Sequence, residues 1–512
     1  MKLPRGRAVV CIGFMGAGKS TAARSAAQVL GTEAIDADQV IEQRLGRPIE
    51  RMFAQDGEAT FRALEEQVTL ELLGSSNPAA VLALGGGATG SATVREALSE
   101  HFVIWVDVDP QLAWARSEGT GRPLARDRAR FERLHAEREP VYASLADAIV
   151  PAERSHAMLA VLKALPGLPD GATLLWAASA SGDYPAYIGP GLVAEQRFWP
   201  QAVPGRRFLV TDGNAGRLYG DRLEPLEGRV AIMPGEQSKT VAHAEIVWTE
   251  LARAGMTRED VVVALGGGVV GDLAGFCAAT YQRGVRHVQV PTTLVAQVDS
   301  AYGGKTGVDL PEAKNYVGAY HQPSAVIADT ATLRTLPAAE VAAGYAEVLK
   351  TALIAGGGLW EEVRHGADPT APEVVAACAR TKLRVVARDE RDAGLRQVLN
   401  LGHTVGHAIE TVTGYARYRH GEAVALGLLA ALRLSGQSDL REEVRALLQG
   451  RGLTTAMDGA DPDAVVMATA RDKKRLGDGP VPFVLLNAPG DVRPGCTIGS
   501  RELIAAVREL AT

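Results

Sequence analysis

Cysteine is scarce in this sequence, and the few that occur lie far apart. The 512 residues contain four cysteines, Cys11, Cys277, Cys378 and Cys496, and no Cys-x-x-Cys pair. This spacing excludes a disulfide framework and a zinc site built on cysteines. It also fits a protein of the reducing cytoplasm.

Long apolar runs and a large excess of one charge are also missing. No run approaches the ~20 apolar residues that a membrane-spanning helix needs. The net charge is −6, from 54 basic and 60 acidic side chains, so charge gives no reason to expect a nucleic-acid partner. Hydrophobic residues make up 46% of the chain, as is usual for a globular protein, and the length indicates about three folding units.

Short apolar runs, each followed by a turn and a helical pattern, recur over roughly the first 330 residues. The clearest candidates for buried parallel strands are residues 9–12, 81–84, 102–106 and 261–265. Beyond about residue 338, segments rich in Ala, Leu, Glu and Arg dominate. The pattern predicts an α/β architecture with parallel sheets flanked by helices, followed by a mainly helical C-terminal third.

A cluster of proline and glycine at 166–171 has no core periodicity and predicts a linker. We place the linker at 166–174, after a domain at 1–165. Two further domains are predicted at 175–335 and 336–512.

The strongest local motif is Gly-x-x-x-x-Gly-Lys-Ser at 13–20, between an apolar strand and a helical pattern. Backbone N–H groups of such a loop hold phosphate oxygens at a helix N-terminus. Lys19 would neutralise a transferring phosphoryl group and Ser20 would bind Mg²⁺. Asp36 and Asp38 follow the next apolar run; one could reach the Mg²⁺ shell while the other grips an acceptor hydroxyl.

Further residues describe the acceptor of that phosphoryl group. Arg62 and Glu65 lie three apart on one helical face, which suits an ion pair that orients Arg62 toward a carboxylate. Glycines at 85–87 would let backbone approach a small ligand. Arg122 stands in a polar, arginine-rich stretch typical of a mobile lid, and Arg138 follows. Together these residues predict a pocket for a ligand with carboxylate and phosphate groups.

This set resembles shikimate kinase, over roughly residues 5–160. The resemblance implies phosphorylation of shikimate by ATP with Mg²⁺, with Lys19, Asp38 and Arg122 as catalytic residues. It implies Ser20 and Asp36 at the Mg²⁺. The implied ATP-binding residues are Gly16, Ala17, Gly18, Lys19, Ser20, Thr21 and Arg122, and the implied shikimate-binding residues are Asp38, Arg62, Gly86, Gly87 and Arg138.

A second cluster of chemically active residues lies near residue 400. His403 and His407 are one helical turn apart and share a face, in a chain with only ten histidines. The metal candidates are Glu347, His403 and His420, which offer two imidazoles and a carboxylate, the ligand set of a catalytic zinc with an open position. The alternative is structural: His403 and His407 would pack a helix and His420 would cap one.

Around these residues lie a Gly-rich turn and an unusual number of basic side chains. The turn at 265–272 follows a strand and by itself is weak evidence for a dinucleotide. Asp212 ends another apolar run, where an acid could bind ribose hydroxyls. The basic residues are Arg283, Lys305, Lys350, Lys382, Arg396, Lys473 and Lys474. They predict a site for a small substrate with phosphate and carboxylate groups, in which oxidation of a metal-held hydroxyl would acidify a C–H bond and let phosphate leave.

From about residue 175 onward the sequence resembles 3-dehydroquinate synthase. The matching motifs span residues 266–272, 281–284, 297–306, 344–350 and 399–407. The resemblance implies an α/β NAD-binding domain, a helical metal-binding domain, and conversion of 3-deoxy-D-arabino-heptulosonate 7-phosphate to 3-dehydroquinate and phosphate. It also implies a homodimer in which Arg283 reaches the partner's active site.

The same resemblance assigns individual residues. The implied ligands of Zn²⁺, or of Co²⁺, are Glu347, His403 and His420. The implied NAD⁺ contacts are Asp212, Asn214, Glu236, Lys239, Gly267, Gly268, Asp272, Thr292, Thr293, Asp299, Lys305 and Lys314. The implied substrate contacts are Arg283, Lys305, Asn315, Lys350, Lys382, Arg396, Asn400, His407 and Lys473, with Arg283, Lys305, Lys350 and His407 as catalytic residues.

The sequence therefore predicts a cytoplasmic fusion of two enzymes that catalyse non-consecutive steps of the shikimate pathway. A related sugar-phosphate cyclase or a metal-dependent polyol dehydrogenase is the alternative for the larger part. The dehydrogenase would not need so many basic residues. For the N-terminal part, the alternative is a nucleotide-binding regulatory module.

Overall fold

The computed structural model describes residues 8–75, 80–119, 125–311, 313–469 and 481–511. The chain divides into two compact units. The first unit consists of Met1–Ala178, Pro185–Tyr187 and Glu195–Pro204, and the second of Ser179–Tyr184, Ile188–Ala194 and Gly205–Thr512.

The first unit is built on a parallel sheet. Its strands are β1 (Ala8–Ile12), β2 (Ala34–Asp36), β3 (Ala80–Ala83), β4 (Phe102–Asp107), β5 (Ala148–Pro151) and β6 (Thr173–Ala177). They lie in the order β2-β3-β1-β4-β5-β6, and every neighbouring pair is parallel. Strands β1 and β4 are buried along their whole length, so the sheet is the core of this unit.

Helices connect these strands. They are α1 (Lys19–Leu30), α2 (Ala37–Leu45), α3 (Ile49–Ser75, interrupted at Gly57), α4 (Ala92–Leu98), α5 (Pro110–Ser117), α6 (Arg128–Leu145), α7 (Met158–Lys163) and α8 (Trp199–Ala202). Because the strands are parallel, the loops after β1, β2 and β3 meet at one edge of the sheet, the usual place for a ligand in such folds.

The second unit contains another parallel sheet, followed by helices. Strand β7 (Tyr184–Gly189) is divided between the two units. The next strands are β8 (Arg207–Asp212), β9 (Gly228–Ile232), β10 (Val261–Gly266), β11 (Arg286–Pro291), β12 (Lys305–Leu310), β13 (Ala313–Tyr320) and β14 (Ala325–Asp329). The parallel sheet has the order β14-β11-β10-β8-β9, whereas β12 and β13 form an antiparallel hairpin.

Three helices belong to this sheet, and the rest of the unit is mainly helical. The sheet helices are α9 (Gly213–Tyr219), α10 (Val241–Arg253) and α11 (Gly268–Thr280). The later elements are α12 (Ala338–Ala355), α13 (Gly357–Arg364), α14 (Pro372–Arg388), α15 (His403–Val412), α16 (His420–Leu434), α17 (Ser438–Gly450), α18 (Pro462–Thr469), the antiparallel hairpin β15 (Phe483–Ala488) and β16 (Asp491–Cys496), and α19 (Ser500–Arg508).

Helix α16 packs against its neighbours main chain to main chain. A Cβ atom on Gly421 would lie 1.8 Å from the carbonyl oxygen of Ala343 in α12. One on Gly427 would lie 1.9 Å from the carbonyl oxygen of Gly402, the residue before α15. Any larger residue at these positions would force the helices apart, since interiors are close-packed.

The fold confirms the predicted class. The predicted strands coincide with β1, β3, β4 and β10, and the C-terminal third is mainly helical, although it also contains the hairpin of β15 and β16. The linker predicted at 166–174 overlaps the start of β6, which pairs with β5; the domain limits stay a prediction. None of the helices within the described ranges combines the length and hydropathy required to cross a membrane.

Candidate active sites

The loop between β1 and α1 has the geometry of a phosphate-binding loop. Gly13, Gly16 and Gly18 have positive φ angles of 142°, 77° and 92°. A Cβ on Gly16 would lie 2.7 Å from the carbonyl oxygen of Ala113, so this position requires glycine. No side chain caps the N-terminus of α1 at Gly18, and the N–H groups of the first turn are therefore suited to an anion.

The side chains that follow the loop meet the end of β2. Ser20 Oγ donates a hydrogen bond to Asp36 Oδ2 at 2.6 Å, which places a hydroxyl and a carboxylate where Mg²⁺ is ordinarily held by oxygen ligands. Lys19 Nζ donates to the Phe14 carbonyl at 3.1 Å. Asp38 lies elsewhere: a Cβ on Gly85 would be 2.8 Å from its Oδ1. Asp36, rather than Asp38, is therefore the carboxylate beside Ser20.

A buried ion pair adjoins the glycines at 85–87. Arg62 Nη1 donates to Glu65 Oε2 at 2.5 Å, and Glu65 is 2% exposed. A Cβ on Gly87 would lie 1.9 Å from Arg62 Nη1, and one on Gly85 would lie 2.2 Å from Glu65 Oε1. Burial raises the pKa of Glu65 although Arg62 opposes it. The glycines therefore leave room for this ion pair, which the spacing of Arg62 and Glu65 had predicted.

Gly86 is held through its carbonyl oxygen. Arg138 Nη1 donates to it at 2.8 Å and the buried Tyr142 hydroxyl donates at 2.6 Å. The sequence pointed to Arg138 but not to Tyr142, although the spacing of four along α6 puts both on one face. It also missed Arg116, whose Nη1 donates to the Gly16 carbonyl at 3.2 Å. Arg122, the predicted lid residue, lies outside the described residues.

The second unit contains a cleft of about 1810 Å³. It collects nearly all the residues that the sequence predicted for this part of the chain. Its lining includes Asp212, Asn214, Glu236, Lys239, Gly267, Gly268, Asp272, Thr292, Thr293, Asp299, Lys305, Lys314, Asn315, Glu347, Lys382, Arg396, Asn400, His403, His407 and His420. Lys350 is not part of the lining but contacts two lining carboxylates. Arg283 is exposed and is also not part of it, and Lys473 and Lys474 lie outside the described residues.

One end of the cleft is the carboxyl edge of the parallel sheet. Gly268 begins α11 directly after β10, and no side chain caps this helix at Gly267. A Cβ on Gly267 would lie 2.9 Å from Thr293 Cγ2, so this position has little room for a side chain. Asp212 accepts hydrogen bonds from the N–H groups of Asn214 and Ala215 at 2.8 and 2.9 Å. This edge and its uncapped helix are where α/β folds bind dinucleotides.

A buried ion pair lies next to that edge. Lys239 Nζ donates to Asp272 Oδ2 at 2.6 Å, and Lys239 is 3% exposed. Burial lowers the pKa of Lys239, but Asp272 and Glu236 raise it more, so the net shift is upward. Lys239 therefore stays charged and keeps the neighbouring acids in place.

Three ligand atoms converge on the other side of the cleft. Glu347 of α12 is 1% exposed, and its Oε1 lies 3.5 Å from His403 Nε2 and 3.3 Å from His420 Nε2. The Nδ1 atoms face acceptors instead, the Leu401 carbonyl for His403 at 3.2 Å and Glu410 Oε2 for His420 at 3.3 Å. In neutral imidazoles the protons then sit on Nδ1, and two Nε2 lone pairs face a carboxylate. Such a donor set fits a divalent cation.

The charge around His420 supports the same conclusion. Burial lowers the pKa of His420, but hydrogen bonds to Glu347 and Glu410 outweigh burial and raise the pKa to about 10. Two carboxylates therefore face His420, and this local negative charge favours a cation beside it. The ring centre of His407 lies 5.3 Å from that of His403, as does the ring centre of His420, but the ligand atoms of His407 do not group with those of Glu347 and His403. With Glu410 and His420, His407 forms a second group whose ligand atoms lie within 4.8 Å of one another.

Two buried lysines share one carboxylate beside the candidate metal centre. Asp299 lies in the π-helical turn Ala296–Ser300. Its Oδ2 accepts from Lys350 Nζ at 2.8 Å, and its carboxylate also contacts Lys382. Burial raises the pKa of Asp299, but the two lysines lower it more, to about 2. Lys350 Nζ is also 2.6 Å from Glu347 Oε2.

The two lysines differ in their own ionisation. Burial lowers the pKa of Lys382 to about 8, because Asp299 compensates only in part and Arg396 adds positive charge. Lys350 instead has a raised pKa, since Asp299 and Glu347 outweigh its burial. Lys350 is thus permanently charged at neutral pH, whereas Lys382 loses its proton in mildly alkaline solution.

The remaining basic residues are also anchored. Arg396 is 2% exposed and donates to the Gly303 carbonyl at 3.1 Å. Lys305 Nζ lies 2.5 Å from Asp392 Oδ2. Asp392 was missed from the sequence, because its partner is 87 residues away and no local pattern connects them. Asn315, with φ of 54°, is held by its N–H to Asp309 Oδ1 at 2.7 Å.

Comparison with known proteins assigns a family to each part of the chain. Residues 15–166 match the family model of shikimate kinase. Residues 229–343 and 344–475 match the N-terminal and C-terminal models of 3-dehydroquinate synthase.

Relatives of known name cover the same region. The chain is 46% identical to the 3-dehydroquinate synthase of Symbiobacterium thermophilum over 60% of this chain and 92% of that protein. It is also 46% identical to that of Halorhodospira halophila over 62% of this chain and 93% of that protein. A solved 2-epi-5-epi-valiolone synthase from Streptomyces hygroscopicus, with NAD⁺ and Zn²⁺ bound, matches with a TM-score of 0.59 and 27% identity, over 64% of this chain and 96% of that one.

The two synthase relatives match over more than nine tenths of their own length at 46% identity, which shows common descent. The shikimate kinase model matches residues 15–166, which precede the synthase region. The chain belongs to the 3-dehydroquinate synthase family and carries a shikimate kinase domain at its N-terminal end.

Proposed function

We propose that this protein catalyses two reactions of aromatic biosynthesis. One is phosphorylation of shikimate to shikimate 3-phosphate by ATP. The other is conversion of 3-deoxy-D-arabino-heptulosonate 7-phosphate to 3-dehydroquinate and phosphate. The observation that carries the synthase assignment is a single cleft that combines a dinucleotide-binding edge, a three-ligand metal set and several buried cations.

In the kinase, the phosphate loop and Lys19 hold and neutralise the phosphates of ATP. Ser20 and Asp36 hold Mg²⁺, which their contact at 2.6 Å supports. The ATP set is Gly16, Ala17, Gly18, Lys19, Ser20, Thr21 and Arg122. Because the reaction needs positioning and charge stabilisation more than covalent help, this preorganised loop supplies most of the catalysis.

The acceptor site of the kinase is the pocket beside the glycines. Asp38 binds the ring hydroxyls of shikimate, and Arg62 binds its carboxylate together with Arg138, Gly86 and Gly87. Glu65 orients Arg62 through the 2.5 Å contact. Bidentate binding of a carboxylate requires an arginine whose planar guanidinium group is fixed in this way.

In the synthase, Glu347, His403 and His420 hold Zn²⁺ or Co²⁺. When bound, NAD⁺ accepts and later returns a hydride, and the metal acts as a Lewis acid on the hydroxyl being oxidised. The NAD⁺ set is Asp212, Asn214, Glu236, Lys239, Gly267, Gly268, Asp272, Thr292, Thr293, Asp299, Lys305 and Lys314. The uncapped start of α11 receives the pyrophosphate.

The cations of the cleft bind the anionic groups of the substrate. The substrate set is Lys305, Asn315, Lys350, Lys382, Arg396, Asn400, His407 and Lys473. Lys350 and Lys382 are buried and held by Asp299, and the exposed Lys305 is held by Asp392. The positions of these three lysines are therefore fixed before the substrate arrives, which lowers the cost of orienting it. A polyol dehydrogenase would need no such set of basic residues. Their presence therefore favours the phosphate-eliminating reaction.

We further propose a homodimer, in which Arg283 completes the site of the partner. Arg283 is exposed and has a positive φ of 68°, as has Gln282 with 48°. Such backbone strain in ordinary residues concentrates at functional positions. The four free cysteines, three of them buried, fit a cytoplasmic protein. The domain limits that we propose are 1–165, 175–335 and 336–512, with the linker at 166–174.

Two assays on the purified chain test these assignments. With MgATP, shikimate-dependent release of ADP is expected. With NAD⁺ and Zn²⁺, the heptulosonate phosphate should be consumed with release of one phosphate and no net NADH. ADP release that does not depend on shikimate, in folded protein, would favour a regulatory nucleotide module. Steady accumulation of NADH would favour a dehydrogenase.

A further inference from the structure

We propose that Glu410 is a positioning residue of the metal centre. Its carboxylate holds the Nδ1–H of His420, and Lys314 connects that carboxylate to the hairpin of β12 and β13. This inference rests on the proposed function, since it takes Glu347, His403 and His420 as the metal ligands.

The contacts of Glu410 assign one role to each oxygen. Glu410 lies on α15 and is 2% exposed. Its Oε2 is 3.3 Å from His420 Nδ1 and its Oε1 is 3.4 Å from Lys314 Nζ. A buried carboxylate is costly unless donors surround it, so both contacts are needed to keep Glu410 ionised in this place.

The contact with His420 decides which nitrogen of the ring faces the metal. With the Nδ1 proton donated to Glu410, the Nε2 lone pair points toward Glu347 Oε1 at 3.3 Å. A carboxylate on the far nitrogen also makes an imidazole a stronger ligand. His403 receives its support from the main-chain carbonyl of Leu401 instead. Of the two ligand histidines, His420 is therefore the one whose Nδ1 acceptor is a side chain, and a substitution can remove that acceptor.

Glu410 could instead be a ligand itself, with His407 and His420, because their ligand atoms also lie close together. The orientation of His420 argues against it. That arrangement would require His420 to bind through Nδ1 and would leave its Nε2 facing Glu347 Oε1 at 3.3 Å with no ion between them.

Lys314 extends the network toward the nucleotide end of the cleft. Its Nζ lies 3.7 Å from Glu236 Oε1 and 4.3 Å from the ring centre of Tyr415. Lys314 thus stands between an acid of the proposed NAD⁺ site and the acid that supports His420. A substitution at Lys314 should change metal affinity only through Glu410.

The test measures metal affinity rather than turnover. The full chain is freed of metal and titrated with Zn²⁺ against a chromophoric chelator, and Co²⁺ absorption reports the ligand set. E410Q keeps the shape of the side chain but not its charge. We expect Zn²⁺ to bind roughly 10- to 100-fold more weakly, with one ion per chain and an unchanged Co²⁺ spectrum. E443Q, which removes a carboxylate of α17 that pairs with Arg364, should bind Zn²⁺ like the original protein.

Two outcomes would overturn the proposal. An affinity of E410Q equal to that of E443Q would make Glu410 a packing residue. Loss of the ion together with the Co²⁺ spectrum would make it a ligand. E347Q tests the metal site itself, independently of the role of Glu410. If E347Q retained full metal affinity, the assignment of Glu347, His403 and His420 as ligands would be wrong. Should E410Q fail to fold, E410D keeps the charge and is expected to give an intermediate affinity.

A double-mutant cycle tests the connection to Lys314. K314M should change the Zn²⁺ affinity by roughly two- to tenfold when Glu410 is present, and should have no effect in the E410Q background. An equal effect of K314M in both backgrounds would show that Lys314 does not act through Glu410.

Discussion

The two units solve the same problem, holding a phosphorylated ligand, in opposite ways. In the first unit the phosphate loop consists of consecutive residues, 13–20, and offers mainly backbone N–H groups at the start of α1. In the second unit the cleft draws on both sheet and helices, and its cations are buried lysines held by Asp299. A short motif is enough to build a site in which the ligand is held by backbone N–H groups. A site that uses buried charged side chains also needs residues from distant segments to neutralise them.

Because the two sites are built from separate residues, we expect a substitution in one unit to impair only the reaction of that unit. For a substitution in one unit, the reaction of the other unit is the internal control.

The largest effect is expected from loss of a metal ligand. H403A leaves Glu347 and His420 as the remaining donors, and two donors do not hold a catalytic zinc. We expect loss of bound metal, measured by elemental analysis, and loss of synthase turnover, with shikimate phosphorylation unchanged. H365A is the matched control, because His365 is an exposed histidine that contacts Glu361. Metal retained at full stoichiometry in H403A would contradict the assignment.

The next effect concerns the phosphate loop. K19A removes the lysine ammonium group at the end of the phosphate loop. Because a preorganised group that stabilises charge is then lost, the turnover of the shikimate kinase reaction should fall roughly 10²- to 10³-fold. Synthase turnover should be unchanged. K163A, at an exposed lysine of α7, should alter neither reaction. A parallel fall of both activities in folded K19A protein would show that the units are not independent.

A smaller effect is expected in the shikimate pocket. The Cβ of G87A would lie 1.9 Å from Arg62 Nη1, so Arg62 must move from the carboxylate site. Loss of a charge-assisted contact should raise the KM for shikimate by roughly 10- to 100-fold, with little change in the KM for ATP. G90A is the control, since a Cβ on Gly90 meets nothing within 4 Å. An equal rise in both KM values would point to general damage of the fold.

The smallest effect is a pH dependence confined to the synthase. Lys382 has a pKa lowered to about 8 by burial, so its ammonium form is present below pH 8 and is lost as the pH rises above that value. Between pH 7 and 9 the KM for the heptulosonate phosphate should rise by up to about tenfold. K382R keeps its charge and should flatten this profile. A profile of K382R identical to that of the original protein would assign the titration to another group.

Pattern and spacing predicted what is local, whereas contacts between distant residues were predicted only through the resemblance to known families or were missed. The phosphate loop, the spacing of Arg62 and Glu65, and the apolar runs of β1 and β10 are readable because residues near in sequence are near in space. Asp392 and Glu410 were missed, because their partners Lys305 and Lys314 lie 87 and 96 residues away. No periodicity encodes such pairs.

The histidine pair shows the same limit. Helical spacing alone puts His403 and His407 on one face and suggests that both bind one ion. Only the fold brings Glu347 and His420 to His403 and leaves His407 outside that group. The resemblance to a known family divided the pair in the same way, and which of them binds metal stays a prediction.

The glycine contacts of α16 set the spacing of the main chain beneath the candidate metal ligands. His420 adjoins Gly421, which touches α12, and His403 adjoins Gly402, which touches Gly427. The backbone positions of the two histidines are therefore fixed where main chain meets main chain, and only their side chains can adjust to an ion. A residue larger than glycine at position 421 or 427 should therefore disturb the metal centre although it replaces none of the ligands.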